Sequence, residues 1–198
     1  MKRFCLTPDA LSAIAAETAR ILAAPGAVAL VPTETVYGLV ARKSDPAAIQ
    51  KIFELKHREA AKVLGWFVAD WRNLPDFGVE MEGLPARLAE RYCPGAITII
   101  APGKAGGTVG FRVPDHPFLA ELLRLVKEPL VQTSANRSGM PDARSAAEAA
   151  AMLAGEPDVL VEAGMLPPGA RSSTVVDATG TAPKVLRQGA LAIDPDLL

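Results

Sequence analysis

Polar and apolar positions alternate in blocks along this chain, and the sharpest block is Ala27 to Leu39. Five small or branched apolar residues end at Pro32, and Thr33-Glu34-Thr35 follow before Tyr37 and Gly38. A short all-apolar run predicts a strand buried on both faces, as in parallel sheets. Proline cannot donate to a ladder, so pairing should stop at Pro32. In open α/β sheets, ligands bind beyond the carboxyl ends of strands. The three oxygen-bearing side chains therefore form a candidate pocket lip, against the plainer reading of a polar turn that caps the strand.

Around that run, Thr7-Pro8-Asp9 reads as a helix start, with Leu11, Ile14, Ala15, Thr18, Ile21 and Leu22 at helical spacing up to Pro25-Gly26. Asp45-Pro46 opens a second helix with Ile49, Ile52, Phe53 and Leu55 on its buried face. Val63–Val68 predicts a strand, Leu84–Tyr92 a helix, Ala96–Ala101 a strand. The glycine-rich loop Gly103–Gly107 leads to a strand ending at Arg112-Val113-Pro114. A helix carrying Phe118 to Val126, a strand from Pro129 to Gln132, a helix over Ser145–Leu153 and a strand over Asp158–Glu162 follow. After the loop Leu166–Ser173, Thr174–Val176 and Lys184–Arg187 are short strands. Some strands are joined by loops too short for a helical crossover, which predicts a mixed sheet. With no internal repeat and no linker, residues 1–198 read as a single α/β domain: a twisted mixed sheet flanked by helices.

Composition narrows the classes. Lys plus Arg (21) nearly balances Asp plus Glu (22), which argues against a broad surface for a phosphate backbone but not against a local cationic pocket. Cys5 and Cys93 fit neither a metal spacing nor a disulfide framework, and two histidines cannot build a His-rich metal site. The N-terminus lacks a signal-peptide core and no apolar run spans a bilayer, so a cytoplasmic protein with no membrane association is expected.

Several strands end in polar or cationic residues: Thr33-Glu34-Thr35, Arg112, Thr133-Ser134-Ala135-Asn136, and Arg187, with Ser172-Ser173 just before a strand. Lys56, Arg58 and Lys62 lie between a helix end and a strand start. If they converge, fork-shaped arginines and ammonium groups suit a polyanion such as ATP. Each has a plainer reading: Lys56 and Arg58 as solvated cations at a helix C-terminus, Arg112 as an edge residue, Ser134 and Asn136 as turn formers. Walker and dinucleotide glycine motifs are absent, as is any nucleophile–base arrangement with a credible spacing.

Seven ordered blocks resemble the YrdC-like family: Pro32 to Leu39; Lys56 and Arg58 with Lys62 and Leu64; Pro94 to Thr98; Arg112 to Pro117; Thr133 to Gly139; Ser173 to Asp177; and Leu186 to Gly189. The resemblance implies threonylcarbamoyl-AMP synthesis from L-threonine, bicarbonate and ATP, with pyrophosphate released and the product used to modify adenosine in tRNA. It implies that Lys56, Arg58, Ser134 and Asn136 hold and polarise phosphates, with Arg187 and Lys62 as further cationic contacts and Thr133 bordering the nucleotide. Thr33, Arg112 and Ser173 would surround threonine, Arg112 at its carboxylate, while Thr35 and Tyr37 shape the pocket wall. Mg²⁺ would accompany ATP, held by phosphates and water rather than by protein ligands. The short form of the family implies partner proteins for transfer to tRNA. Two departures stand out: Glu59-Ala60-Ala61 where proline commonly follows the arginine, and Gly65-Trp66, which would reshape the threonine end. The alternatives are an RNA-binding module, disfavoured by the charge balance, and a paralogue acting on another carbamoyl acceptor.

Overall fold

A computed structural model describes residues 1–57 and 63–194. Its framework is one ten-stranded mixed sheet: β1 (Lys2–Cys5), β2 (Ala29–Val31), β3 (Gly38–Arg42), β4 (Gly65–Phe67), β5 (Ile97–Pro102), β6 (Thr108–Arg112), β7 (Leu130–Ser134), β8 (Val159–Glu162), β9 (Thr174–Asp177) and β10 (Lys184–Arg187). The spatial order is β1-β8-β2-β3-β7-β4-β6-β5-β9-β10. β2 runs parallel to β8 but antiparallel to β3, so the all-apolar run belongs to a mixed neighbourhood. Its apolar character follows from burial alone. Ala29 and Val31 enter one core cluster while Val28 and Leu30 enter another across the sheet.

The helices are α1 (Leu11–Leu22), α2 (Pro46–Lys56), α3 (Leu84–Tyr92), α4 (Pro117–Val126) and α5 (Ala146–Ala151). α1 and α4 lay Ile14, Leu22, Phe118 and Leu122 over one face of the sheet, on Val31, Val40 and Leu130. α2 and α5 cover the opposite face through Ile52, Leu55 and Ala149, on Leu30, Leu39 and Val131. α3 continues that second layer through Leu84 and Leu88, on Ile97, Ile99 and Phe111. Among the described residues, nothing comparable continues on the first face past β7.

Several expectations change. The first helix starts at Leu11 rather than with a Thr7 cap, and its N-cap position, Ala10, has no side-chain cap. Thr7-Pro8-Asp9 forms a separate turn, with the Ala10 N–H donating to the Thr7 carbonyl at 3.2 Å. The second helix matches its signal, because the Asp45 carboxylate accepts from the Ala48 N–H at 3.0 Å beside Pro46. β1 and β3 are additional to the predicted strands: β1 is a largely exposed edge, and β3 is a short buried apolar run that follows the polar lip directly. A 3-10 helix over Trp71–Phe77 is also additional. Among the described residues no helix is long and apolar enough to cross a membrane.

Candidate active site

The uncovered part of the first face is a cleft of about 300 Å³. Strand pleating decides what lines it, since alternate side chains point to one face. β6 presents Thr108, Gly110 and Arg112, β5 presents Thr98 and Ile100, β9 presents Val175, and β7 presents Gln132 and Ser134. Their neighbours Ile97, Ile99, Phe111 and Val176 point the other way, into the core under α3. Thr33, Thr35, Tyr37, Thr133, Ser173 and Arg187 complete the expected lining.

The lip after β2 is internally bonded. The Thr33 hydroxyl donates to the Val36 carbonyl at 2.7 Å and accepts from the Thr35 and Val36 N–H groups. Thr33 Oγ1 and Thr35 Oγ1 are 2.9 Å apart, and Arg112 Nη1 donates to Thr35 Oγ1 at 2.9 Å. A hydroxyl has one proton, and Thr33 has committed its own to Val36, so Thr35 donates to Thr33. The chain of bonds thus runs Arg112 to Thr35 to Thr33 in one direction and fixes all three.

Arg112 is 3% exposed. Its Nε donates to the Gly95 carbonyl at 3.1 Å, and Nη2 lies 2.5 Å from Glu34 Oε1, which also accepts from the Asp115 N–H at 2.9 Å. Burial pulls the guanidinium below its ordinary proton affinity and Glu34 opposes this, the start being high enough for the cation to persist. The plainer reading of an edge residue is therefore wrong: this is a buried, paired cation facing a cleft. Glu34 itself is a residue whose role the sequence signal left unassigned; the lone acid in a threonine-rich lip was the available clue.

Ser173 and Thr98 are joined by their hydroxyls at 2.8 Å, and Arg187 Nη2 donates to the Ser173 carbonyl at 2.9 Å. This junction is closed by Gly189, where a Cβ would come within 2.2 Å of the Ser172 carbonyl oxygen, so backbone fills the place of a side chain. Tyr37 donates to the Gly164 carbonyl at 2.7 Å and accepts from the Ala163 N–H at 3.0 Å, anchoring the segment after β8 to the pocket wall. Burial pushes its phenol pKa up, which keeps it protonated and donating.

Lys56 and Asn136 stand behind the cleft rather than on its surface. Lys56 arrives from α2 on the covered face, is 1% exposed, and donates to the Ser134 and Asn136 carbonyls, the latter at 2.6 Å. Asn136 Oδ1 accepts from Ser134 Oγ at 2.5 Å, and its Nδ2 donates to the Met140 carbonyl. Ser134 alone of these three reaches the cleft, on a turn the other two hold. Arg58, Lys62 and Glu59 lie outside the described residues. Thr98, Thr108 and Gln132 line the cleft without having been assigned a role; period-two alternation along their strands was the signal that could have found them.

Burial raises the Cys93 thiol to about 11, leaving it protonated and inert near neutrality. Among the described residues no three His, Cys, Asp or Glu side chains converge as a metal site. Among the described residues, what converges is hydroxyls, one amide and two guanidiniums, a set that binds and orients.

Comparison with known proteins identifies the family. The family described as "Telomere recombination" (Sua5/YciO/YrdC) matches residues 22–189. The threonylcarbamoyl-AMP synthase of Pyrococcus abyssi is 34% identical over 178 residues, covering 85% of this chain and 52% of that protein. The structure of P. abyssi Sua5 complexed with L-threonine superposes with a TM-score of 0.77 at 30% identity, covering 95% of this chain and 56% of that one. A putative threonylcarbamoyl-AMP synthase of Mycobacterium tuberculosis is 34% identical, covering 85% of this chain and 81% of that protein. E. coli YciO, at 24% identity, shares the fold along all of both chains, with a TM-score of 0.86. The chain thus spans about half the length of the Pyrococcus relative and most of the Mycobacterium one. With a family match over most of its length, this chain belongs to the Sua5/YciO/YrdC family.

Proposed function

We propose that this protein is a threonylcarbamoyl-AMP synthase, making threonylcarbamoyl-AMP and pyrophosphate from L-threonine, bicarbonate and ATP for tRNA modification. The observation that carries the reading is a buried, oriented arginine, Arg112, at one end of a cleft whose other end is the Ser134 turn. A guanidinium matches a carboxylate in a planar fork, and hydroxyl and amide donors suit phosphate oxygens. The naming of the Pyrococcus and Mycobacterium relatives, and the threonine held by P. abyssi Sua5, support the same substrate class.

In this reading the threonine amine adds to bicarbonate and loses water, giving an N-carboxylated amine. Its carboxylate oxygen attacks the α-phosphorus of ATP, and pyrophosphate leaves from the opposite side. No protein nucleophile is consumed, so catalysis consists of alignment and charge stabilisation. Arg112, with Thr33 and Ser173, holds threonine, and Thr35 and Tyr37 form the wall. Ser134 contacts phosphate, Lys56 and Asn136 set its turn while Lys56 adds positive charge beneath it, and Thr133 borders the nucleotide. Arg187, Arg58 and Lys62 supply further cationic contacts. Mg²⁺ bound to ATP would neutralise charge on the phosphates, alongside Ser134 and the cationic side chains named here.

Residues 1–198 act as one domain in this account, whose sheet edges, β1 and β10, come from opposite ends of the described chain. Partner proteins complete transfer to tRNA in a cytoplasmic setting, and direct nucleic-acid binding is weak. The test is pyrophosphate release from Mg-ATP with L-threonine and bicarbonate added singly and together. Release only with both is expected. Release with another amine in place of threonine would move the protein to the paralogue reading. No release, with salt-sensitive RNA binding instead, would favour a binding module.

A further inference from the structure

The two ends of the cleft are fixed by Arg112 and Ser134, and strand register shows what lies between. Phe67 pairs with Arg112 on β6 and with Leu130 on β7, and Gly65 pairs with Gln132 on β7. Gly65 thus sits level with Gly110, whose carbonyl oxygen would lie 3.4 Å from a Cβ at position 65. Gln132 and Gly65 are one same-face step from the Arg112 level. Ser134 is one step further in the same direction, so Gln132 lies between the Arg112 and Ser134 levels. Each step is about 7 Å along a strand. The middle of the cleft floor is therefore bare backbone at Gly65 and Gly110, with one polar side chain, Gln132, lying over it.

Gln132 lies there because residue 65 is glycine. A Cβ at that position would fall 2.7 Å from Gln132 Nε2 and 3.6 Å from Cδ. The amide lines the cleft, and among the described residues it has no hydrogen-bond partner. A primary amide left without protein partners in a cleft is ready to serve a ligand, since it offers both donors and an acceptor.

We propose that the Gln132 amide hydrogen-bonds the N-carboxyl group of the carboxylated amine, and that Gly65 is the notch that admits it. This rests on the synthase reading above. The carboxylated amine presents one N–H donor beside a carboxylate acceptor, and the amide presents the complementary carbonyl and NH₂ in one plane. Two parallel hydrogen bonds then hold the reacting carboxylate midway between the amino acid's carboxylate at Arg112 and the phosphates at Ser134. Gln132 is in this account a specificity-determining contact for the carboxylated intermediate.

The experiment is a mutant cycle read by steady-state pyrophosphate release and, separately, by ATP affinity without threonine. Gln132→Met keeps the length and loses the amide; kcat/KM for threonine should fall about 10- to 100-fold, the range for a hydrogen bond to a charged group. ATP affinity and melting temperature should not change. Gly65→Ala, which displaces the amide, should show a similar loss. Gly65→Ala combined with Gln132→Ala should be no worse than Gln132→Ala alone. Wild-type rates in Gln132→Met, or recovery of full activity in the double variant, would overturn the inference and reduce Gln132 to filler. A wild-type protein inactive with threonine plus bicarbonate would overturn the synthase reading and this inference with it; an active wild type matched by Gln132→Met would overturn this inference alone.

Discussion

One sheet face does two jobs. Across β2 and β3 it is sealed by α1 and α4, and Ala29, Val31 and Val40 are fully buried. Across β6, β5 and β9 the same face is uncovered and carries Thr108, Arg112, Thr98 and Val175. The opposite face is covered by helices along both regions, by α2 and α5 and then by α3. The difference is visible strand by strand. β2 is apolar at every position because both of its faces are buried, while β6 alternates Thr108, Gly110 and Arg112 with Val109 and Phe111. A sheet built this way gains its stability from one layer and from half of another, and leaves a rigid polar floor where the second layer stops. That floor carries Thr98, Thr108, Arg112 and Gln132 on strands, and the lip residues Thr33, Thr35 and Ser173 border it from the adjoining loops.

Adjacent residues on β5 sharpen this contrast. Ile99 is fully buried under α3, while Ile100 faces the cleft. Ile99→Ala should lower stability by about 2–5 kcal/mol, the range for a deleted core side chain, with activity per folded molecule retained. Urea unfolding against a per-mole rate measurement checks both halves of that statement.

Arg112→Gln should do the reverse in emphasis. Pyrophosphate release should fall at least about 100-fold, as for removal of a principal oriented charge, and threonine should cease to protect the fold against heat. Glu34→Gln leaves the guanidinium in place but loosens its orientation, so a smaller loss, confined to the KM for threonine, is expected. If Glu34→Gln instead left KM untouched and changed only stability, the pair would belong to the scaffold.

Asp45→Ala tests the covered half with a smaller effect of about 1 kcal/mol from the lost helix cap. The Asp45 carboxyl is held below its ordinary 3.8 by the Ala48 N–H and, secondarily, by the Gly26 N–H. A depressed carboxyl pKa stabilises the fold above the unfolded value and ceases to do so as pH falls through the folded one. The difference between wild type and Asp45→Ala should therefore shrink as the pH drops below about 4. Smallest of all, Ile100→Ala should cost under about 1 kcal/mol, because its side chain is only partly removed from water.

Much of this was legible in the chain. Asp45-Pro46 before a periodic apolar stripe predicts α2, and the Leu84–Tyr92 helix ends where Pro94-Gly95 breaks it. The polar strand ends named Thr33, Thr35, Arg112, Ser134, Ser173 and Arg187, and the fold gathers them in one cleft. Lys56 shows the limit of such reading. Spacing cannot tell that α2 runs beneath β7, so a lysine expected on the cleft surface lies under the Ser134 turn. β1 was illegible because Lys2-Arg3-Phe4-Cys5 is too short and too exposed to show a pattern. Gln132 was illegible for a different reason: its meaning depends on a missing side chain at Gly65, two strands' worth of sequence away and adjacent only through register.

The central claim is that the uncovered face, and not another cavity, takes the substrate. A second cavity, of about 380 Å³ beside Trp71, Cys93, Val113 and His116, provides the rival location. Amide resonances followed by NMR during titration with L-threonine and bicarbonate decide between them. Shifts concentrated at Thr98, Gly110, Arg112 and Ser173, with Val31 and Val40 unmoved, are the predicted result. Shifts centred on Trp71, Cys93 and His116, with Gly110 and Ser173 unmoved, would contradict it.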